Sequence, residues 1–233
     1  LRHLLSFTSG LSPEHLCTLQ NNMDLADSVA VIEQQSTVAA PGTLFEYGST
    51  HLHVAARMAE VQVGAAWNDI FQTQLANPLS LPGLEFYTYP KQGEGTTNPL
   101  IAGGMRASMN EYARILRFVF DKGVWQGTAL LDPQLFDLQA REPYPDAVVG
   151  NTPRQQLTDS SHYGLTAWLE CATPDEGCEQ LSSPGAFGFT PWLDRDAGYF
   201  AILGMELDRS DSGVVGFAVD LKQALAPLIV EAL

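Results

Sequence analysis

Lysine is nearly absent from this chain. Its 233 residues contain three, Lys91, Lys122 and Lys222, and all basic residues together number 12 against 27 acidic ones, a net charge of −15. Such a balance argues against nucleic acid and anionic membrane surfaces as partners, because phosphate binding requires clustered Lys and Arg. Long apolar runs are missing as well. None approaches the ~18 residues needed to cross a bilayer, so no membrane span is expected. Cysteine is sparse, with three residues. Cys171 and Cys178 flank the turn-rich Ala172-Thr173-Pro174-Asp175-Glu176-Gly177 and are expected to pair as a disulfide that closes a short hairpin; Cys17 is left over. A metal site needs more ligands at closer spacing, and none is expected. The disulfide leans towards an exported protein, periplasmic or secreted. No targeting segment is visible, and the chain begins in mid-pattern on Leu1-Arg2-His3.

Against these shortages stands an ordinary globular balance, 45% hydrophobic and 17% charged, in a chain long enough for one large core or two small ones. The first 160 residues read mainly as helices. Met23 to Gln35 places Leu25, Val29 and Ile32 on one face, with Asn22 or Asp24 near its start. Trp67 to Leu75 continues as a helix until Asn77-Pro78. Ser108-Met109-Asn110-Glu111 is a capping box for a helix carrying Tyr112, Ile115, Leu116 and Val119, and Asp132-Pro133 opens another. Pro78 to Pro99 and Arg141 to Ser160 read as long loops. From residue 161 the texture turns to strands: Tyr163 to Glu170, Ala186 to Leu193 (where Pro191 marks an edge or a bulge), then Tyr199 to Leu207 after an Asp194–Gly198 hairpin turn. A helix through Phe217, Leu221, Leu225 and Leu228 closes the chain. Two regions follow, 1–160 mainly helical and 161–233 an antiparallel sheet with a C-terminal helix. The fold class is α+β.

One stretch carries the chemistry. Pro41-Gly42-Thr43-Leu44-Phe45-Glu46-Tyr47-Gly48-Ser49 is a turn that delivers a tyrosine to the start of a helix, where backbone N–H groups are unpaired. Leu52, Ala55, Ala56, Ala59 and Val63 define one face of that helix, from Ser49 to Val63, with Ser49 or Thr50 as its N-cap. A tyrosine so placed can shuttle protons if a cation lowers its pKa.

Taken with four further segments, this stretch resembles the serine β-lactamase-like hydrolases, the family of class C β-lactamases, D-Ala-D-Ala peptidases and related esterases. Tyr47-Gly48-Ser49 is similar to that family's Tyr-x-Asn motif. Leu1 to Leu11, LRHLLSFTSGL, is similar to its LRHLLSHTSGL segment. Gly103-Gly104-Met105-Arg106-Ala107-Ser108 through Tyr112-Ala113-Arg114 resembles its GGxxST…YARF helix, His162-Tyr163-Gly164-Leu165 through Trp168 its YGLGW strand, and Gly185-Ala186-Phe187-Gly188 its third motif. The resemblance implies a β-lactamase/transpeptidase-like fold whose N-terminal part, with the Ser-x-x-Lys nucleophile, is missing here. None of the three lysines follows a serine at that spacing.

The same resemblance assigns roles. Tyr47 would be the proton shuttle and the Ala186 N–H an oxyanion donor, while Ser49, Ser183, Gly185 and Phe187 would bind substrate. Ser49 stands where β-lactamases have Asn, and Ser183-Pro184-Gly185 where they have Lys-Thr-Gly. The missing cation at Ser183 counts against strong β-lactamase activity and fits the esterase-like members better. Phe187, Phe189 and Trp192 are candidates for an acyl pocket. A small ester, amide or β-lactam is the expected substrate, no cofactor is expected, and a complementing N-terminal segment or chain would supply the nucleophile. The alternative is a degenerate module that keeps the cleft for binding. His51 and His53, two apart, should point to different faces and not share a metal. His162 reads as structural, and Ser6 to Gly10 as a helix terminus without the G-x-S-x-G elbow.

Overall fold

The computed structural model describes residues 1–88, 96–153, 162–172, 177–207 and 213–233. Residues 89–95 of the Pro78–Pro99 loop, Lys91 among them, residues 154–161 and 208–212, and the middle of the Cys171–Cys178 loop lie outside the described residues. Two compact units emerge, Leu1–Ala107 with Pro143–Thr152, and Ser108–Glu142 with Pro153–Leu233. They are not divided at residue 160, as the change of texture implied. The helices α5 (Met109–Phe120) and α6 (Pro133–Gln139) group with the sheet, and a later segment returns to the first unit.

In the first unit, α1 (Arg2–Leu5) precedes α2 (Leu25–Glu33) and α3 (Ser49–Val63), followed by α4 (Trp67–Phe71). Asp24 caps α2, its carboxylate accepting from the Asp27 N–H at 2.8 Å. Helix α3 has the bounds its periodicity predicts, and Gly64, with φ of +76°, ends it in the left-handed conformation that glycine tolerates. Leu25, Val29 and Ala56 form a core with Val54, Trp67 and Ile101 packed around it. The predicted helix to Leu75 instead changes pitch after Phe71, with a wider turn over Gln72–Ala76. Strand β1 (Leu44–Phe45) pairs in parallel with β4 (Val148–Val149), so a segment expected as loop forms a short strand beside the Tyr47 turn.

The second unit is built on a five-stranded antiparallel sheet in sequential order: β5 (His162–Tyr163), β6 (Trp168–Leu169), β7 (Gln180–Ser182), β8 (Thr190–Asp194) and β9 (Tyr199–Leu203). A hairpin of β2 (Val124–Trp125) and β3 (Thr128–Ala129) follows α5. Register places Leu169, Leu181, Leu193 and Phe200 in one row across the sheet. That row packs with Leu116, Tyr112, Val119 and Phe120 of α5. The alternate residues Trp168, Ser182 and Trp192 face the other side. There α7 (Val214–Ala232) packs on β8, with Lys222 paired to Glu170 at 3.2 Å.

Three strand expectations change. Tyr163 to Glu170 is not one strand: β5 and β6 form a tight hairpin, with Thr166 at φ of +65°. Strand β7 was not anticipated. Pro191 lies in an interior strand, tolerated because β7 leaves the ladder after Ser182, where the Ser183 N–H donates to the Pro191 carbonyl at 3.1 Å and no donor is asked of the proline. The Cys171–Cys178 disulfide is present, with Cα atoms 5.7 Å apart, linking the segments that follow β6 and precede β7.

Candidate active site

Tyr47 is presented by backbone pairing on both sides. Its N–H donates to the Asn151 carbonyl at 2.8 Å, and the Glu46 N–H donates to the Phe7 carbonyl at 2.9 Å. The Leu1–Leu11 segment therefore runs alongside the turn, with Gly42 N–H bonded to the Thr8 carbonyl at 2.7 Å. Phe7 adopts φ of +56°, a strained value for a bulky residue, and its ring meets Tyr47 edge-on with centroids 4.8 Å apart. Tyr47 is partly buried. Burial and the nearby Glu14 carboxylate hold its phenol above the ordinary value of 10.

Helix α3 begins differently from expectation. Its N-cap is Gly48, which lacks a capping side chain, and Ser49 is the first helical residue. Glu14 takes over the capping: one carboxylate oxygen accepts from the Ser49 N–H at 3.1 Å and the other from the Ser49 hydroxyl. The Thr50 N–H donates to the Pro13 carbonyl at 3.1 Å, so Pro13-Glu14 lies across the helix start. The hydroxyl expected to reach a substrate carbonyl thus donates to Glu14. Ser49 is itself buried, while Glu14 is exposed. Sequence reasoning missed Glu14, and no local signal marks it, because its partner lies 35 positions away.

His51 and His53 are both fully buried. Nδ1 of His51 lies 2.8 Å from the Ser9 hydroxyl, and Nε2 of His53 lies 2.9 Å from the Asn98 side-chain oxygen. Burial lowers both, His51 to about 4, partly offset by the Glu46 backbone and the Asn98 side chain respectively. Their partners differ. Among the described residues no group of three or more His, Cys, Asp or Glu is arranged to hold a metal, and no helix is long and apolar enough to cross a membrane.

The second unit carries the third motif just after β7. Gly185 N–H donates to the Phe189 carbonyl at 2.8 Å and Gly188 N–H to the Gly185 carbonyl at 2.9 Å, making a tight turn through Ala186 and Phe187. Gly188, at φ of +92°, sits against Met205 and Val214, where a side chain would be strained and crowded. Ser183 and Ala186 are exposed, and Phe187 is 37% exposed. The Ala186 N–H makes no hydrogen bond among the described residues. Of the proposed acyl-pocket aromatics, Trp192 belongs to the core, its Nε1–H donating to the Tyr199 hydroxyl at 3.2 Å. Phe189 packs edge-on to Tyr112. His162 Nδ1 pairs with Glu142 at 2.7 Å.

The fold has counterparts among known proteins. The chain matches the beta-lactamase family over residues 1–221. It is similar to the solved structure of a candidate beta-lactamase from Bacteroides dorei DSM 17855, at 29% identity and a TM-score of 0.75, covering 95% of this chain and 71% of that one. It is also similar to EstCE1, a hydrolase with promiscuous acyltransferase activity, at 18% identity and a TM-score of 0.69, covering 94% and 71%. A penicillin-binding protein from Bacillus halodurans is similar at 14% identity and a TM-score of 0.64, again covering 94% and 71%. At such identities the last two speak for the fold alone. The search of curated proteins finds no match.

Proposed function

This chain belongs to the beta-lactamase family, and from that premise we propose that residues 1–233 form the greater part of a serine acyl hydrolase. Its substrates are small esters or amides, β-lactams included, and its chemistry passes through an acyl-enzyme. Tyr47 moves the proton, the Ala186 N–H stabilises the oxyanion, and Ser49, Ser183, Gly185 and Phe187 contact the substrate. The nucleophile comes from a Ser-x-x-Lys outside these residues, on a preceding segment or a second chain, and residues 1–233 alone are inactive. What carries the reading is the backbone-pinned turn that delivers Tyr47 to the start of α3. The Ala186 N–H, exposed in a tight glycine turn, also supports the reading. Export to an oxidising compartment belongs to the same reading, supported by the disulfide.

A second reading has one observation in its favour. Tyr47 is shifted up, away from the range of a useful base, as suits a module that binds without turning over. The test is labelling by a fluorophosphonate probe. Residues 1–233 alone should remain unlabelled. Addition of a segment bearing Ser-x-x-Lys should restore stoichiometric labelling of that serine, with Tyr47→Phe lowering the labelling rate by about 100-fold. Labelling of a serine within residues 1–233, or no labelling with the added segment, would overturn the hydrolase reading.

A further inference from the structure

The acyl-hydrolase reading leaves the substrate's charge open, and the start of α3 bears on it. Ser49 offers no free donor there: its N–H and its hydroxyl both point at Glu14. A hydroxyl that has donated retains lone pairs, and an ionised carboxylate only accepts. At the start of α3 Ser49 and Glu14 therefore present acceptors, and Glu14, an exposed residue, brings a negative charge there. Position is enforced rather than incidental. Pro13-Glu14 is held by the Thr50 N–H at 3.1 Å and by the Ser49 N–H at 3.1 Å, and Gly48 lets the Pro13 carbonyl pass so close that a Cβ would collide with it.

We propose that Glu14 is the specificity-determining residue of this site, selecting acyl compounds that bring a hydrogen-bond donor or an ammonium group next to Tyr47 and rejecting those that bring a carboxylate. The inference rests on the acyl-hydrolase reading of that site. It narrows the substrate class to neutral and amine-bearing esters or amides, and places carboxylate-bearing β-lactams and peptide C-termini among the poor substrates.

Binding tests this without turnover. The 15N-labelled chain is titrated at pH 7 and constant ionic strength with benzylammonium, benzamide and benzoate, a matched set differing in charge, and the Gly48, Ser49 and Thr50 amide shifts are followed. Benzylammonium should bind about fivefold or more tighter than benzoate, the scale of one exposed charge interaction. Glu14→Gln should bring that ratio to about one, and Glu14→Asp, which keeps the charge, should preserve the ratio. A ratio that survives Glu14→Gln would assign the preference to the overall −15 charge and overturn the proposal. Equal affinity for all three ligands would overturn it while leaving the acyl site standing. No shift at residues 48–50 with any ligand would overturn both.

Discussion

Gly48 and His51 stand three positions apart, and each shows how one residue answers to neighbours remote in sequence. Gly48 is the place where the Pro13 carbonyl crosses the chain, so its lack of a side chain matters for approach; its backbone is extended. His51 is buried neutral against Ser9. Its folded pKa lies at about 4, below the ordinary 6.5, so the unfolded chain takes up a proton that the folded state refuses. Stability from this group is complete above pH 6.5 and is lost as pH falls towards 4. Urea unfolding of the first unit should weaken by about 2 kcal/mol between pH 6.5 and 5. His51→Gln should lessen the dependence, leaving the part that His53 carries, and an unchanged slope in that variant would refute the assignment. At this scale the place of Tyr47 just ahead of α3, the Asp24 cap and the cysteine pair were legible, because each turns on residues a few positions away. Glu14 was not, since its partner is distant.

Among the elements, α5 shows local and long-range control side by side. Its start is written in adjacent residues: the Ser108 hydroxyl accepts from the Glu111 N–H, and the Glu111 carboxylate accepts from the Ser108 N–H at 2.7 Å. Its end depends on Arg195, from the β8–β9 turn. The guanidinium donates to the Phe120 carbonyl at 2.9 Å and the Val119 carbonyl at 2.8 Å, and pairs with Glu179 at 3.1 Å. These are the carbonyls a helix C-terminus leaves unpaired, and a cation there also meets the negative end of the helix dipole. Arg195→Ala should cost about 2–3 kcal/mol in chemical unfolding of the second unit. Arg195→Lys should recover part of that loss, and an alanine variant of unchanged stability would show the contacts to be idle. Helix α3 was legible from its periodicity. The β5–β6 hairpin was not, because a run of apolar and small residues from Tyr163 to Glu170 reads the same whether it continues or folds back at Thr166.

At the scale of the whole molecule, two cores respond to different insults. The disulfide lies in the second unit and the buried histidines in the first. Reduction should destabilise the second unit by about 2 kcal/mol, on the order of thirtyfold in hydrogen exchange across β6, β7 and β8. Residues 1–107 should be unaffected. Exchange that rises equally in both units on reduction would show that they unfold as one.

Sequence alone determined the helices α2, α3 and α5, the caps of α2, α5 and α6, the α+β class and the motifs that mark a β-lactamase-like chain, all patterns whose period or spacing is local. Tertiary structure decided the rest: that α5 and α6 belong with the sheet, that β7 completes it, that Pro191 sits inside it, and that a carboxylate covers Ser49. Each of these turns on which distant segments share a desolvated surface or a hydrogen bond, and burial and pairing are properties of the folded chain that no window of sequence contains.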